Sequence, residues 1–267
     1  LEKQGVTGGA TARSGGKLLA AGTTWQEKQN IEDDPQLMYD YLKGIGGDLI
    51  DDAKLQEFCD NAVADMTWLE DMGVKVQDVE AIHQSLTPWR VHNTLGGGGM
   101  TDGHGGQITV PMTEKFLGLG GQILYNVSAD TLLTDDSGVV CGASGTRPDG
   151  TTVSVNAKAV VIATGGYAAN AELAEEYTGK TGYVTQVPAG NVGDGLMMAE
   201  AVGAAIYKPT TIQTVFTSFT CGVGINEEAG LIGNSRGERV VNEYTYQYHV
   251  AGAIINSGCY SGWYIAS

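Results

Sequence analysis

Several glycine-bearing segments mark places where a main chain could approach a charged or flat ligand. They include Gly8-Gly9-Ala10-Thr11-Ala12-Arg13-Ser14-Gly15-Gly16, Ala163-Thr164-Gly165-Gly166 and Gly193-Asp194-Gly195. Without a Cβ, glycine lets the backbone turn sharply and present N–H groups to a phosphate or a ring. The first segment adds two hydroxyls, on Thr11 and Ser14. Just ahead of it stands Glu2, the residue type that accepts hydrogen bonds from a ribose diol when it ends a strand. Each turn alone reads equally well as a tight loop. Their recurrence in one order is harder to dismiss.

Among the elements that must hold these turns, residues 35–44 and 55–72 read as helices. In the second, Leu55, Phe58, Cys59, Ala62, Val63, Met66 and Leu69 recur at three and four and mark one buried face, with Trp68 at its rim. Residues 88–106 are too rich in glycine for a regular element and read as a long loop carrying His92 and His104. From Gln122 the period becomes two. Three strand-like runs separated by DDSG and RPDG predict an antiparallel meander. Lys158–Gly166 is a short apolar run closed by glycines, as in a strand buried on both faces of a parallel sheet. Residues 170–177 and 193–205 read as helices, the second with Asp194 placed to cap it. Residues 249–256 read as a further helix, and a change of composition after Pro209 suggests a second domain.

Composition excludes some functions. Forty glycines in 267 residues are non-periodic, which rules out collagen. A formal charge of −16 with dispersed carboxylates argues against a nucleic-acid or anionic-membrane partner. Cys59, Cys141, Cys221 and Cys259 lack CxxC spacing, and His92 and His104 have no Cys or acidic partner in register, so no metal site is expected. No apolar run approaches the ~18 residues of a membrane span.

The ordered set Glu2-Lys3, GG-x-T-x-x-SGG at 8–16, the meander, VVIATGGY followed by Asn170, GDGLMMAEAVGA and GNSRGERVVNE resembles the FAD-binding-2 flavoproteins. These are the fumarate reductase and succinate dehydrogenase flavoproteins, with urocanate reductases and 3-ketosteroid dehydrogenases. The resemblance implies an α/β fold. A Rossmann-like FAD-binding domain, with a parallel sheet and an antiparallel meander, spans 1–207, and an inserted α+β cap begins over 208–267. It implies FAD as cofactor, with Glu2 and Lys3 by the adenosine ribose. Gly9, Thr11, Ser14, Gly15 and Gly16 would run along pyrophosphate and flavin, and a backbone group near Ala129 would meet the adenine. Thr164, Gly165 and Asp194 would complete the contacts. Ala10 departs from the Asn of many relatives. Leu1-Glu2-Lys3 is expected to be the tail of a second strand, with a strand, a G-x-G-x-x-G turn and a helix before it. The cap is expected to continue past Ser267, and the segment alone to bind FAD weakly and be inactive. Localisation and electron donor are not legible.

The implied activity is oxidation or reduction at a CH–CH or C=C bond of a small molecule, by hydride transfer at flavin N5 with a proton donor nearby. Fumarate reductases carry a cap histidine in IQ-x-HPT and an arginine after RFVNE. Here Val215 and Gln247 occupy those places, and neither can grip a carboxylate. A simple dicarboxylate is therefore not the expected substrate. Tyr244, Tyr246, Tyr248 and His249 cluster instead, and Tyr246, Tyr248 and His249 are the candidate proton donors. The same tyrosines also read as one face of a half-buried strand, with His249 starting a helix. The alternatives are a divergent fumarate reductase or succinate dehydrogenase-type flavoprotein, and a non-catalytic flavoprotein-like fragment.

Overall fold

The computed structural model describes residues 1–81, 88–95, 104–179, 185, 187–206, 230–243 and 247–266. They form two compact units, Leu1–Gly165 and Gly166–Ser267. The composition change expected at 207–208 adjoins residues 207–229, which lie outside the described residues.

The first unit opens with a one-turn helix α1 (Gly9–Arg13) inside the glycine-rich turn, followed by β1 (Lys17–Leu19) and α2 (Thr24–Lys28). Helices α3 (Pro35–Gly46) and α4 (Asp52–Asp71) start where side chains satisfy their first N–H groups. Asp34 accepts from Leu37 at 2.8 Å ahead of Pro35, and Asp51 accepts from Ala53 and Lys54. The buried face of α4 is Leu55, Cys59, Ala62 and Met66, packed with Met38, Ala20, Ala21 and Val76. Phe58 lies off that stripe and is exposed.

The long loop expected at 88–106 is corrected over four residues. Val91–Thr94 is strand β3, the middle of an antiparallel sheet of order β1-β3-β2, with β2 at Val76–Glu80. All four of its residues are buried. A strand covered on both faces shows no alternation, and His92, Asn93 and Thr94 hide its buried character because the His92 ring nitrogens, Asn93 Nδ2 and the Thr94 hydroxyl find partners inside the protein. Helix α5 (Gly106–Gly118) begins at the last residue of the expected loop.

The meander forms as expected from β4 (Ser128–Thr134), β5 (Val140–Thr146) and β6 (Thr152–Asn156). Asp135 closes the first turn by accepting from Ser137 and Val139. The register shift between Ala129 and Thr131 leaves Asp130 as an extra residue, a β-bulge.

The buried strand expected at 158–166 is also corrected. No ladder includes it among the described residues, and Val161 is 88% exposed. A strand exists by pairing, and the described ladders are all antiparallel. Outside the ladders, the Glu2 N–H donates to Leu124 O at 2.9 Å and its carbonyl accepts from Val127 N–H at 3.0 Å, which ties the first residues to the stretch before β4.

In the second unit α6 (Ala171–Thr178) is capped by Asn170, which accepts from Leu173 at 3.1 Å. Helix α7 (Asp194–Ala201) follows Gly193. Asp194 is its first helical residue rather than its cap, an acid in the first turn where the helix dipole favours one. Strand β7 (Gly230–Asn234), helix α8 (Gln247–Asn256) and strand β8 (Gly262–Ala266) follow, with β7 and β8 antiparallel. Ile232, Val250, Ile254 and Cys259 form their core. Helix α8 begins two residues before the expected His249, so Tyr248 lies on a helix and not on an alternating strand face. No helix of the described residues is long and apolar enough to cross a membrane.

Candidate functional site

The glycine-rich turn is built to expose one side and bury the other. Gly8 precedes α1 at φ 114, and Ser14 ends the helix with its N–H on Ala10 and Thr11 carbonyls. Thr11 and Ser14 remain exposed, whereas Gly15 and Gly16 are buried. Gly9 has φ 49, and a Cβ there would meet nothing within 4 Å. Its open side is free of close contacts among the described residues.

The buried side is filled by protein. A Cβ on Gly16 would lie 2.2 Å from Thr94 Oγ1 and 2.9 Å from the His104 carbonyl. A Cβ on Gly105 would lie 1.6 Å from Thr11 O and 2.6 Å from Ser14 Oγ. Main-chain bonds close the contact, from Gly105 N–H to Ser14 O at 2.9 Å and from Thr94 N–H to Gly16 O at 3.1 Å. The start of α5 therefore seats directly on the turn, and Thr7 and Thr113 hydroxyls meet at 3.0 Å farther along. Of the sequence candidates, Gly16 thus has a packing reason to be glycine and Gly15 is buried beside it, while Gly9, Thr11 and Ser14 form the accessible edge.

Around the start of β3 lies a connected set of buried polar side chains. Arg90 forks onto Asp33 with two bonds of 2.7 Å, and their side chains are 2% and 0% exposed. Gln26 donates to the same carboxylate at 2.9 Å and to Trp89 O at 2.7 Å. Gln26 and Thr23 complete a capping box at α2. His92 Nδ1 lies 3.0 Å from Arg90 O, an acceptor only, so Nδ1 carries the proton. Neutral Nε2 then accepts from the Thr23 hydroxyl at 2.8 Å. Burial pushes the His92 pKa below its ordinary value, against the raising effect of its backbone bonds. One carboxylate cannot saturate a guanidinium. Arg90 Nη1 is buried with no hydrogen-bond partner among the described residues, and the Tyr41 ring lies 5.4 Å from the guanidinium carbon. Sequence reading missed this set. The Thr23-x-x-Gln26 cap was its visible signal.

The remaining candidates are placed individually. Glu2 is half-buried, and its Oε1 accepts from Gln4 N–H at 2.7 Å. Lys3 is half-buried beside it. Ala129 adjoins the Asp130 bulge, which is pinned by hydroxyls of Thr131 at 2.8 Å and Thr146 at 3.0 Å. A bulge turns main-chain groups out of the ladder, the feature a backbone contact to a base requires. Thr164 and Gly165 are exposed, with Gly165 at φ 79. In the second unit, a Cβ on Gly193 would lie 2.7 Å from Leu173, so the turn before Asp194 is tied to α6.

Of the candidate proton donors, Tyr246 lies outside the described residues, as do Val215 and Tyr244. Tyr248 and His249 belong to the first turn of α8, and His249 is exposed. Nearby in sequence, Arg239 grips Glu243 with bonds of 2.5 to 3.1 Å, and Glu243 also accepts from Ile232 N–H at 3.0 Å. The Arg239 hydrogen bonds hold the Glu243 pKa down to about 2. Arg239 is thus engaged by a carboxylate of its own chain. No cluster of three or more His, Cys, Asp or Glu side chains suited to a metal ion occurs among the described residues.

The residues present fit a flavin dinucleotide. An exposed turn offers hydroxyls and an open glycine, a bulge offers main-chain groups, and exposed Gly165 at positive φ allows close approach.

Comparison with known proteins gives the same direction. A model described as FAD binding domain matches residues 1–261. A fumarate reductase (cytochrome) of Shewanella frigidimarina is 30% identical over 262 residues, covering 96% of this chain and 45% of that protein. A urocanate reductase of Eggerthella lenta is 29% identical over 273 residues, covering 95% and 43%. A solved structure of 3-ketosteroid-delta4-(5alpha)-dehydrogenase from Rhodococcus jostii, in complex with 4-androstene-3,17-dione, is similar with TM-score 0.79 and 26% identity. It covers 93% of this chain and 56% of that one. The chain spans less than half the length of both curated relatives.

Proposed function

The chain belongs to the FAD binding domain family, and from that premise we propose an FAD-dependent oxidoreductase that acts at a CH–CH or C=C bond of a small molecule. The observation that carries this reading is the Gly9–Gly16 turn, exposed at Gly9, Thr11 and Ser14 and locked from behind by Gly105 at Thr11 and Ser14 and by Thr94 at Gly16. The relatives named above support the bond type, being reductases of fumarate and urocanate and a dehydrogenase of a ketosteroid by description. We further propose that residues 1–207 make up the FAD domain and that 208–267 begin a substrate cap.

When bound, the flavin would supply hydride transfer at N5. Glu2 would accept from the adenosine ribose with Lys3 beside it, and the main chain at Ala129 would meet the adenine. Gly9, Thr11 and Ser14 would meet the pyrophosphate and flavin, backed by the buried Gly15 and Gly16, and Thr164, Gly165 and Asp194 would complete the contacts. A proton for the neighbouring carbon would come from the Tyr246, Tyr248 and His249 cluster. The substrate is not a simple dicarboxylate, because Val215 and Gln247 stand where the fumarate-reducing pattern has a histidine and an arginine.

Purified full-length protein is expected to carry flavin absorbance that dithionite bleaches and one unsaturated acceptor from a panel restores. Absence of flavin from the full-length product would overturn the reading.

A further inference from the structure

We propose that Asp33, Arg90 and Thr94 are positioning residues for the exposed edge of the Gly9–Ser14 turn. The assignment rests on reading that turn as part of the FAD site. None of the three side chains bonds to Thr11 or Ser14. Their action runs through β3, which is gripped at both ends.

At one end, Arg90 is held by the two-bond fork on Asp33, a geometry that fixes direction as well as distance. Its carbonyl accepts from Ala20 N–H at 3.3 Å and from His92 Nδ1 at 3.0 Å, which ties β3 to the end of β1. Strand β1 follows Gly16 directly, with Lys17 opposite Asn93 and Leu19 opposite Val91. At the other end, Thr94 enters the space a Gly16 side chain would need. Its N–H donates to Gly16 O at 3.1 Å and its hydroxyl to His104 O at 3.3 Å. The next residue, Gly105, donates to Ser14 O at 2.9 Å. Thr94, His104–Gly105 and Ser14–Gly16 therefore close a ring of contacts around the turn's buried side.

Stability alone is a poor account of this arrangement. A buried ion pair is weakly stabilising at best against a well-packed apolar replacement, since two charges must be desolvated. What the fork and the Thr94 hydroxyl add is geometry. They set the register of β3 against β1 and hold the turn's outer edge at one height.

The test titrates FAD into full-length apoprotein by quenching of flavin fluorescence, with thermal unfolding of the same samples. Thr94→Val removes only the hydroxyl link and is expected to raise the FAD dissociation constant about three- to tenfold. Thr94→Ser restores the hydroxyl and is expected to restore the affinity. Arg90→Lys keeps the charge but loses the fork, and is expected to weaken FAD binding in the folded protein. Unchanged affinity in Thr94→Val, even with earlier melting, would overturn the proposal, as would failure of Thr94→Ser to restore it. If the parent protein takes up no FAD, the reading of the turn falls first and the proposal with it.

Discussion

A Cβ on Gly105 would stand 1.6 Å from the carbonyl oxygen of Thr11, so helix α5 and the candidate cofactor turn meet main chain to main chain. Neither partner is a flexible side-chain tip that could swing away. Gly105→Ala is therefore expected to destabilise the fold by about 1–3 kcal/mol through overpacking and to weaken flavin retention. Gly44 provides the contrast. It lies inside α3, and a Cβ there would meet nothing within 4 Å. Gly44→Ala is expected to be neutral or stabilising by up to about 1 kcal/mol. Urea unfolding of the two variants beside the parent measures both.

The helices and the meander were legible because local chemistry declares them. Asp34-Pro35 and Asn170 announce helix starts, and DDSG and RPDG separate runs of period two. Strand β3 was not legible, because VHNT has neither alternation nor an apolar run. Apart from the local Arg90 carbonyl, its side chains take their partners from Thr23, Asp78 and the His104 backbone, distant in sequence. The segment 158–166 failed in the opposite way. Its apolar run has the composition of a buried strand, yet composition does not supply a neighbour to pair with. For the site, the accessible glycine and hydroxyls could be named from sequence. Which glycines face protein could not, since Gly9 and Gly16 differ only in what packs beside them.

Acid should act on His92 before it reaches most carboxylates. The folded protein holds this histidine neutral by burial, below its unfolded pKa of about 6.5. The unfolded state then binds the extra proton first, so His92 contributes stability that is present above pH ~6.5 and lost as pH falls below it. Charging Nε2 would also require it to donate to Thr23 Oγ1 and turn that hydroxyl toward Gln26 Oε1, 3.4 Å away. His92→Gln is expected to be less stable at neutral pH but to show a flatter stability profile between pH 7.5 and 5.5. An equally steep profile in the variant would assign that slope to other groups.

Substrate selection is expected to follow charge. Val215 and Gln247 provide no cation for a carboxylate, so fumarate should not reoxidise the reduced flavin at a useful rate, whereas an uncharged enone should. Stopped-flow reoxidation of photoreduced protein distinguishes the two. If the proton donor lies in the first turn of α8, Tyr248→Phe or His249→Gln lowers kcat on the accepted substrate by about 10²-fold or more with little change in KM. Parent rates in both variants would move the role to Tyr246 or elsewhere.

The carboxylate of Glu243 does for β7 what a third strand would do. Ile232 pairs with Tyr264 of β8 on one side, and its N–H is met on the other by Glu243 Oε1 at 3.0 Å. Arg239 holds that carboxylate through Nε and Nη2, and the pair keeps the Glu243 pKa at about 2, against an ordinary value near 4.5. Because the folded value is depressed, the contribution is fully present above pH ~4.5 and is lost as pH falls from there toward 2. The shift alone would correspond to about 3 kcal/mol. The Arg239 side chain is 59% exposed, so water and salt screen it and about 1–2 kcal/mol is the expected share. Glu243→Gln keeps an acceptor for Ile232 but removes the charge. It should lose that share at pH 7 and lack the corresponding acid limb between pH 4.5 and 3. The difference between parent and variant in urea unfolding, followed from pH 7 to 3, isolates this group from the other carboxylates. A difference that stays constant across that range would mean the pair acts by packing and not by charge.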